Sequence, residues 1–294
     1  MKILNFGSLN IDYVYSVVNF VRSGETIKAL SRDVFCGGKG LNQSVALARA
    51  GAEVWHSGSI GDDGKMLKNL LEDSGVKTEY IRISGATGHA IIQVDSFGEN
   101  CIIINGGANR EIDKPFINKV LKNFEKGDML LLQNEINNIP YIMEAAYERG
   151  LQIAINPSPI TEELLKYPFE LVKWFIINRN EGELLTGESE PKKIADSLLS
   201  RYNNSAVILT LGSEGAVYID GQQHLLQPSY KVKVVDTTGA GDTFAGYFLS
   251  GIAQGLSEKA AMLQASKAAA LAVTKKGAAI SIPTLDEVLR ATFD

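Results

Sequence analysis

Short apolar runs, each the length of a β-strand, recur along the chain with segments of helical period between them. These runs are Lys2–Phe6, Glu53–Ser57, Met129–Gln133, Gln152–Asn156, Trp174–Asn178 and Ala206–Leu211. Several are apolar at nearly every position, which is typical of parallel strands buried on both faces. Segments such as Asn137–Arg149 and Pro191–Tyr202 have helical period. The alternation predicts an α/β fold built from βαβ units around a mostly parallel sheet.

Two regions interrupt this alternation. The first, Tyr13–Phe35, contains β-like stretches at Tyr13–Val17 and Ile27–Val34 and has little helical period. The second, His89–Asn105, has the pattern of a hairpin that turns through Phe97–Asn100. We expect the two regions to pair as a small sheet outside the main domain. Since such a sheet needs its apolar face covered, it is predicted to act as a lid, a subunit interface, or both.

The pattern changes again after Leu211. Gly215–Ile219 and Gln223–Gln227 flank an Asp220-Gly221 pair, which predicts a hairpin with a type I′ turn. Two helices are then predicted. The first runs from about Asp242 to Ala253, and the second runs from an N-cap at Ser257 to about Lys275.

Composition and charge exclude several classes of protein. The chain has 294 residues, of which 45% are hydrophobic and 21% charged, as in ordinary globular proteins. The net charge is −5 and the largest basic runs are pairs such as Lys275-Lys276, which disfavours nucleic-acid or anionic-membrane binding. Two cysteines, Cys36 and Cys101, do not make a disulfide framework. With no apolar run of about 18 residues and an early Gly7, we expect a cytoplasmic protein.

The segment Gly239-Ala240-Gly241-Asp242 is the strongest candidate for chemistry. Glycines before a helix let successive backbone N–H groups point at one anion, and the helix N-terminus favours negative charge there. Asp242 would then accept a proton from a substrate hydroxyl. A tight turn with a first-turn Asp is the alternative reading of these residues. The segment is neither a dinucleotide fingerprint, because Phe244 replaces the third glycine, nor a P-loop.

A second glycine-rich segment, Gly37–Asn42, also precedes a helical run, Gln43–Ala50. Its glycines would let a ligand approach the backbone, although a simple tight turn explains them equally well. Asn10 and Asp12 follow the first predicted strand, where ligands of open α/β sheets bind. Local turn capping is their alternative role. Glu135 follows the strand Met129–Gln133 in the same way.

The order of motifs resembles the ribokinase (PfkB-type carbohydrate kinase) family. The matching pieces are Gly7–Asp12, Gly37–Asn42, Gly58–Gly64, Asn156–Pro159, Asn180–Glu183, Thr210–Gly215, Asp236–Asp242 and Lys275–Ala278. They span nearly the whole chain. The resemblance implies a three-layer α/β/α core as a single domain over residues 1–294, with a β-sheet lid formed by about 12–36 and 88–106.

The resemblance also implies roles for individual residues. Asp242 is the base for the sugar's primary hydroxyl, and Gly239, Ala240 and Gly241 form an anion hole. The residues implied to bind the sugar are Asn10, Asp12, Gly38, Lys39, Gly40, Asn42, Glu135 and Asp242. Those implied to contact ATP are Asn180, Thr210, Gly212, Ser213, Gly215, Gly241 and Ser266. Relatives often carry His or Asn at the position of Ser266, and Ala at that of Gly239.

Two kinds of metal ion follow from the same resemblance. Asn180 and Glu183 are implied to order Mg²⁺ and its waters beside the phosphates. A monovalent cation, usually K⁺, is implied beside the anion hole. The matching positions are Asp236, Thr238, Ala272, Lys275, Gly277 and Ser281. Most of these act through backbone carbonyls, whereas the carboxylate of Asp236 could offset the cation's charge.

The substrate implied by the resemblance is D-ribose, phosphorylated by ATP at O5. The opening motif Gly7–Asp12 favours an unphosphorylated sugar. Kinases for 2-deoxyribose, fructose or adenosine stay open as alternatives, since a few pocket residues decide among them. So does a non-catalytic sugar-binding or nucleotide-binding protein, because fold alone does not give function. The lid regions suggest a homodimer, as in relatives whose lids clasp each other.

Overall fold

A computed structural model describes residues 1–293 of the chain. It contains thirteen strands within these residues: β1 Ile3–Phe6, β2 Asn10–Ser16, β3 Ser31–Gly37, β4 Val54–Ile60, β5 Lys77–Ile83, β6 Gly88–Val94, β7 Asn100–Asn105, β8 Met129–Gln133, β9 Gln152–Asn156, β10 Val172–Asn178, β11 Ala206–Thr210, β12 Ala216–Ile219 and β13 His224–Gln227. The helices are α1 Lys39–Arg49, α2 Lys65–Asp73, α3 Lys114–Leu121, α4 Ile139–Glu148, α5 Arg179–Thr186, α6 Pro191–Arg201, α7 Ala240–Ala253, α8 Glu258–Ala272 and α9 Leu285–Arg290.

The larger sheet has nine strands in the order β13-β12-β11-β10-β9-β8-β1-β4-β5. Its strands are parallel from β11 through β5, and β12 and β13 extend it as an antiparallel hairpin. Neighbouring residues of a strand point to opposite faces, so Ile3 joins one core and Leu4 the other. One core packs against α1, α7 and α8, and the other against α3, α4 and α6. The predicted mostly parallel α/β/α fold is confirmed.

The chain order places a switch point between β1 and β8. From β1 the chain builds β4 and β5 on one side, and from β8 it builds β9, β10 and β11 on the other. Connections leave the two central strands in opposite directions, which opens a crevice at their carboxyl ends. Ligands of such sheets bind in that crevice, so the fold itself selects this edge.

The smaller sheet has four strands in the order β3-β2-β6-β7. β2 and β6 pair in parallel, with Asn10 opposite Gly88 and Tyr13 opposite Ile91. The predicted pairing of the two interrupting regions into a second sheet is therefore confirmed. The predicted strand at Ile27–Val34 is displaced, because the ladder with β2 begins only at Ser31 and continues to Gly37.

Three local predictions were wrong or incomplete. Strand β5 was missed because it is an edge strand of mixed polarity rather than a continuous apolar run. Helix α1 begins at Lys39, four residues before the predicted start. The β12–β13 turn is not type I′, since neither Asp220 nor Gly221 has a positive φ. The Asp220 side chain instead accepts hydrogen bonds from the N–H groups of Gln222 and Gln223, which closes the turn locally.

Helix α1 lies directly against the loop that follows β1, and this close approach requires glycine. A Cβ on Gly7 would lie 2.6 Å from Gly40 Cα, and a Cβ on Gly40 would lie 2.6 Å from Gly7 Cα. Two glycines facing each other let the helix N-terminus reach the carboxyl end of β1. Within residues 1–293, no helix has the length and apolar composition that crossing a bilayer demands.

Candidate active site

A cavity of about 180 Å³ lies at the carboxyl ends of β9, β10 and β11, beside the N-terminus of α7. Its lining residues are Lys39, Asn156, Ile176, Ile177, Asn178, Glu181, Thr210, Gly239, Gly241 and Asp242. Asn156, Asn178 and Thr210 are the last residues of β9, β10 and β11. Successive strand ends and the glycine-rich turn therefore form one cavity, although they are far apart in the sequence.

The turn before α7 presents free backbone donors. Gly239 has φ 75°, a conformation that glycine adopts without strain, and it caps the helix N-terminus. The Ala240 N–H donates to Thr237 O at 3.2 Å. The N–H groups of Gly241 and Asp242 have no partner within residues 1–293. These two donors, together with the helix N-terminus, are suited to bind an anion at this end of the cavity.

Asp242 is held by two amide side chains from α1. Asn42 Nδ2 donates to Asp242 Oδ2 at 2.9 Å, and Gln43 Nε2 donates to Asp242 Oδ1 at 2.8 Å. Asp242 is only 7% exposed. Since each carboxylate oxygen has two lone pairs, one site on each oxygen is left to accept a further hydrogen bond. A carboxylate positioned in this way can take a proton from a substrate hydroxyl.

Asn42 has an unused acceptor. Its Nδ2 is committed to Asp242, and its Oδ1 is buried without a hydrogen-bond partner within residues 1–293. Buried polar atoms in folded proteins are nearly always hydrogen-bonded. A hydroxyl that donates to Asn42 Oδ1 would satisfy this atom.

Lys39 lies among three carboxylates. Burial lowers the pKa of Lys39, but the nearby carboxylates of Asp242, Glu135 and Glu181 outweigh this effect and hold the pKa above its ordinary value. The ammonium group is therefore charged at neutral pH. Because Lys39 lines the cavity beside Asp242 and Glu181, its charge is available to a phosphate as well as to a sugar.

Glu135 and Ser8 link the end of β8 to the start of α1. Glu135 Oε2 accepts hydrogen bonds from Ser8 Oγ and from the Lys39 N–H, the latter at 2.9 Å. Gly40 N donates to Ser8 Oγ at 3.2 Å. Burial is the main cause that raises the pKa of Glu135, in spite of these donors. The predicted sugar-site residues Lys39, Gly40 and Glu135 are thus brought together.

Asn10 and Asp12 lie on β2, which leaves this junction and enters the smaller sheet. Asn109 Nδ2 donates to Asn10 Oδ1 at 2.8 Å and also to Leu9 O at 3.2 Å. Asn109 Oδ1 accepts from the Leu9 N–H. Asn10 Oδ1 accepts this one hydrogen bond, so its second lone pair and the Nδ2 group are both left to meet a ligand. Gly38 precedes α1 with φ 95° at the same junction.

The predicted pair Asn180 and Glu183 does not line the cavity, and both residues are exposed. Asn178 and Glu181 line it instead. These two form a capping box at the start of α5, in which Asn178 Oδ1 accepts from the Glu181 N–H at 2.9 Å. A shift of two residues rotates a helical side chain by about 200°, so Glu181 and Glu183 lie on different faces of α5.

The remaining predicted nucleotide contacts lie mostly outside the cavity. Thr210 lines it, whereas Gly212 and Ser213 lie in the short 3₁₀ turn Gly212–Glu214 just beyond it. Gly215 connects that turn to β12 with φ 103°. Ser266 is buried in α8 and does not line the cavity.

Asp236 ties together two segments of the predicted monovalent-cation site. Its Oδ1 accepts from Thr238 N at 2.9 Å and Thr238 Oγ1 at 2.6 Å, and its Oδ2 accepts from Gly277 N at 2.9 Å. Partial burial raises the pKa of Asp236, but these hydrogen bonds outweigh it and the pKa is lowered. The carboxylate therefore stays ionised beside the turn that precedes α7.

The other predicted cation positions surround the end of α8. Ala272 is the last residue of α8, and its carbonyl accepts from the Lys275 N–H at 3.1 Å. The Lys275 side chain points to Glu287 Oε1 at 3.0 Å, so only its backbone is free to face the site. Ser281 is buried in the following turn. Backbone carbonyls and one carboxylate are suitable ligands for a hard cation.

Comparison with known proteins adds independent support. The family profile described as pfkB family carbohydrate kinase matches residues 1–285. The ribokinase of Haemophilus influenzae is 35% identical over 297 residues, covering 96% of this chain and 95% of that protein. A deoxyribokinase of Salmonella typhi is 32% identical, covering 98% and 97%. The structure of ribokinase from Cryptococcus neoformans var. grubii serotype A in complex with ADP matches with a TM-score of 0.87 at 35% identity, covering 98% of each chain.

The chain belongs to the pfkB family of carbohydrate kinases. It is accordingly a phosphotransferase that uses an alcohol group as acceptor. The resemblance predicted from the ordered motifs is confirmed. A carbohydrate kinase needs a base near an anion-binding turn, and Asp242 lies in the first turn of α7 beside the free N–H groups.

Five polar residues of this kinase were given no role from the sequence: Gln43, Asn109, Asn156, Asn178 and Glu181. Asn156 and Asn178 end predicted strands, so the rule that selected Asp12 and Glu135 applies to them equally. Asn178 and Glu181 also have the spacing of a capping box. Gln43 and Asn109 carried no local signal, because their partners are distant in sequence.

The carboxyl of Asp12 is expected to make the stability of this kinase pH-dependent. Burial, and then repulsion from Glu135, raise the pKa of Asp12 from 3.8 to about 7. The folded state therefore binds this proton more tightly than the unfolded state does. Its contribution to stability is present below pH 3.8 and is lost as the pH rises towards 7. Asp12→Asn should raise the free energy of unfolding at pH 8 by roughly 1–3 kcal/mol and change it little near pH 4.

Thermal denaturation across this pH range measures the effect. Asp33→Asn, on the neighbouring strand β3, is a control, because that carboxyl is exposed. The control should show the same dependence of Tm on pH as the wild type. If Asp12→Asn also retained the wild-type dependence, the buried carboxyl would not be its source.

Proposed function

We propose that this kinase transfers the γ-phosphoryl group of ATP to O5 of D-ribose and so forms ribose 5-phosphate and ADP. The observation that carries the proposal is the position of Asp242 beside the free N–H groups of Gly241 and itself, in a cavity that Lys39 shares. The names of the ribokinase relatives and the ADP complex support the sugar and the nucleotide.

The transfer would use these groups in a simple order. The sugar hydroxyl oxygen attacks the γ-phosphorus, and its proton passes to the Asp242 carboxylate. The bond between the γ-phosphorus and the β–γ bridging oxygen breaks, and ADP keeps that electron pair. Backbone N–H groups at the start of α7 and the Lys39 ammonium stabilise the charge that develops on the phosphoryl oxygens.

Sugar-dependent ADP release tests the proposal. A panel of D-ribose, 2-deoxyribose, fructose and adenosine should give the highest kcat/KM with D-ribose. A preference for 2-deoxyribose is the second candidate, because one relative is a deoxyribokinase. Absence of ADP release with every sugar would refute the kinase proposal and favour a non-catalytic binding protein.

For the magnesium ion we propose Asn178 and Glu181 in place of the predicted pair. Glu181 places a carboxylate in the cavity, and Asn156 Nδ2 lies 3.5 Å from Glu181 Oε2. Mg²⁺ keeps several waters and needs one or two protein carboxylates, so this donor set fits it. When bound, the ion would neutralise phosphate charge and orient the γ-phosphate.

For the monovalent cation we propose the turn around Asp236. Its ionised carboxylate accepts hydrogen bonds from the N–H groups of Thr238 and Gly277. Gly277 belongs to the turn that follows α8, and the backbone carbonyls of that turn are the other ligands we propose. The proposal predicts higher activity in K⁺ than in an equal concentration of tetramethylammonium. Equal rates in the two salts would count against it.

We also propose a homodimer in which the smaller sheet serves as lid and interface. On β7, Ile103 is 61% exposed and Ile104 58% exposed, and Phe97 in the preceding turn is 86% exposed. Burial of such a surface would be favourable in a dimer. A monomer in size-exclusion chromatography with light scattering would remove this proposal.

We place the enzyme in the cytoplasm. Both cysteines are free thiols, as is usual in that reducing compartment, and the cytoplasm supplies ATP.

A further inference from the structure

Three buried amide side chains form a continuous line of hydrogen bonds that ends on Asp242. Asn5 Nδ2 donates to Gly40 O at 2.8 Å. Gln133 Nε2 donates to Asn5 Oδ1 at 3.0 Å and to Gln43 Oε1 at 2.6 Å. Gln43 Nε2 then donates to Asp242 Oδ1 at 2.8 Å. We call Asn5, Gln133 and Gln43 the amide relay, and each member is at most 1% exposed.

The direction of the amide relay is fixed by its starting point. Gly40 O is a backbone carbonyl and can only accept, so Asn5 must turn its Nδ2 towards it. Asn5 Oδ1 therefore faces Gln133, and Gln133 must donate to it through Nε2. Gln43 Oε1 therefore accepts from Gln133, and Gln43 Nε2 faces Asp242. Turning over any one amide would place two donors or two acceptors against each other.

Gln43 also connects the two halves of the site. Its Nε2 has a second hydrogen, which it donates to Asn156 Oδ1 at 3.2 Å. Asn156 Nδ2 in turn donates to Ile176 O at 2.9 Å and approaches Glu181 Oε2 at 3.5 Å. The Gln43 amide therefore contacts the candidate base directly and reaches Glu181, at the start of α5, through Asn156.

We propose that Gln133 is a positioning residue for phosphoryl transfer, which acts through Gln43 to hold the Asp242 carboxylate in the orientation that accepts the sugar proton. Gln133 does not line the cavity, and its side chain donates to Asn5 and Gln43 rather than to Asp242. Its effect arises because hydrogen bonds between buried amides are strengthened by the low-dielectric interior and resist reorientation. Gln133 acts through its two Nε2 hydrogens, since its Oε1 is buried without a partner within residues 1–293. Asn42 fixes Oδ2, and the amide relay fixes Oδ1, so the plane of the carboxylate is set from two sides. This inference rests on the kinase function proposed above.

Gln133→Glu tests the direction of the amide relay at constant side-chain volume. A carboxylate at position 133 accepts where the amide donated, so Gln43 turns its Nε2 towards it and its Oε1 towards Asp242. The expected result is a fall in kcat of at least tenfold, with KM for D-ribose and for ATP changed by less than about threefold. Gln133→Met, which removes the donors without reversing the relay, should lower kcat by a smaller factor.

Asn134→Asp is the matched control. Asn134 is the next residue along the chain and is 5% exposed, but its Nδ2 donates to Pro159 O and Thr161 Oγ1, away from the amide relay. This variant should keep kcat within twofold of the wild type, whatever it does to Tm. Thermal denaturation shows which variants fold. If Gln133→Glu does not fold, the kcat of Gln133→Met tests whether Gln133 is a positioning residue.

A double-mutant cycle with Asp242→Asn separates positioning from general loosening of the fold. If Gln133 acts through the carboxylate, Gln133→Glu should not lower further the residual kcat of Asp242→Asn. An unchanged kcat in both Gln133 variants would overturn the proposal, and so would an equal fold-loss in the two backgrounds. Failure of the proposed function gives a different result, since the wild type itself would then release no ADP with any sugar.

Discussion

Asp242→Asn is expected to lower kcat by about 10²–10⁴-fold, the range typical of losing a general base. An amide has the same shape as the carboxylate but cannot take the proton of the sugar hydroxyl. It also brings an NH₂ group against one of two donors, since Asn42 Nδ2 and Gln43 Nε2 both point at this side chain. Steady-state measurement of ADP release gives kcat, and calorimetry gives the affinity for ATP, which should change little.

Asp220→Asn is a suitable control for Asp242→Asn. The Asp220 carboxylate also accepts several hydrogen bonds, but it closes the β12–β13 turn and does not line the cavity. Its replacement should leave kcat within about twofold. Near-normal turnover in Asp242→Asn would contradict the assignment of this carboxylate as the base.

Glu181→Gln is expected to have the second-largest effect, a fall in kcat/KM for ATP of about 10²-fold together with a higher Mg²⁺ requirement. The carboxylate lines the cavity, and Gln keeps its length. Gln also serves at the third position of a capping box, so the start of α5 with Asn178 should stay intact. The substitution therefore removes the charge and leaves the helix in place. A magnesium titration of the rate measures the effect.

Glu183→Gln provides the matched control on the same helix. Glu183 is exposed and lies two residues further along α5, which turns it away from the cavity. This variant should keep both the rate and the Mg²⁺ requirement of the wild type. If only Glu183→Gln lowered the rate or raised the Mg²⁺ requirement, the metal site would instead be the pair predicted from the sequence, Asn180 and Glu183.

Much of the fold was predictable because it depends on short-range patterns. The runs Met129–Gln133 and Gln152–Asn156 match β8 and β9 to the residue, since both faces of an interior strand are buried and all positions except Gln133, Gln152 and Asn156 are apolar. Strand β5 was not predictable in this way, because an edge strand is partly solvated. The type of the β12–β13 turn was not predictable, because the sequence of this turn suits more than one type. The hydrogen bonds that the Asp220 side chain accepts decide which type forms.

The candidate site was predictable only in part. Residues that follow strands, such as Asp12 and Glu135, could be expected at one edge because parallel strands end together. Lys39 was placed with the sugar, whereas the structure has it beside Asp242 and Glu181 as well. The pair Asn180 and Glu183 stays a prediction, because the spacing of a motif does not say which helical face meets the cavity.

The sequence by itself therefore determined the α/β architecture, the family and the turn that carries Asp242, because these depend on burial patterns and on motifs of a few residues. Tertiary structure alone decided how the Asp242 carboxylate is held. Gln43 and Asp242 are 199 residues apart in the chain, and Gln133 and Asn5 are 128 apart. No local pattern specifies such pairs, since packing of α1 and α7 against the sheet brings their amides and carboxylate within hydrogen-bonding distance.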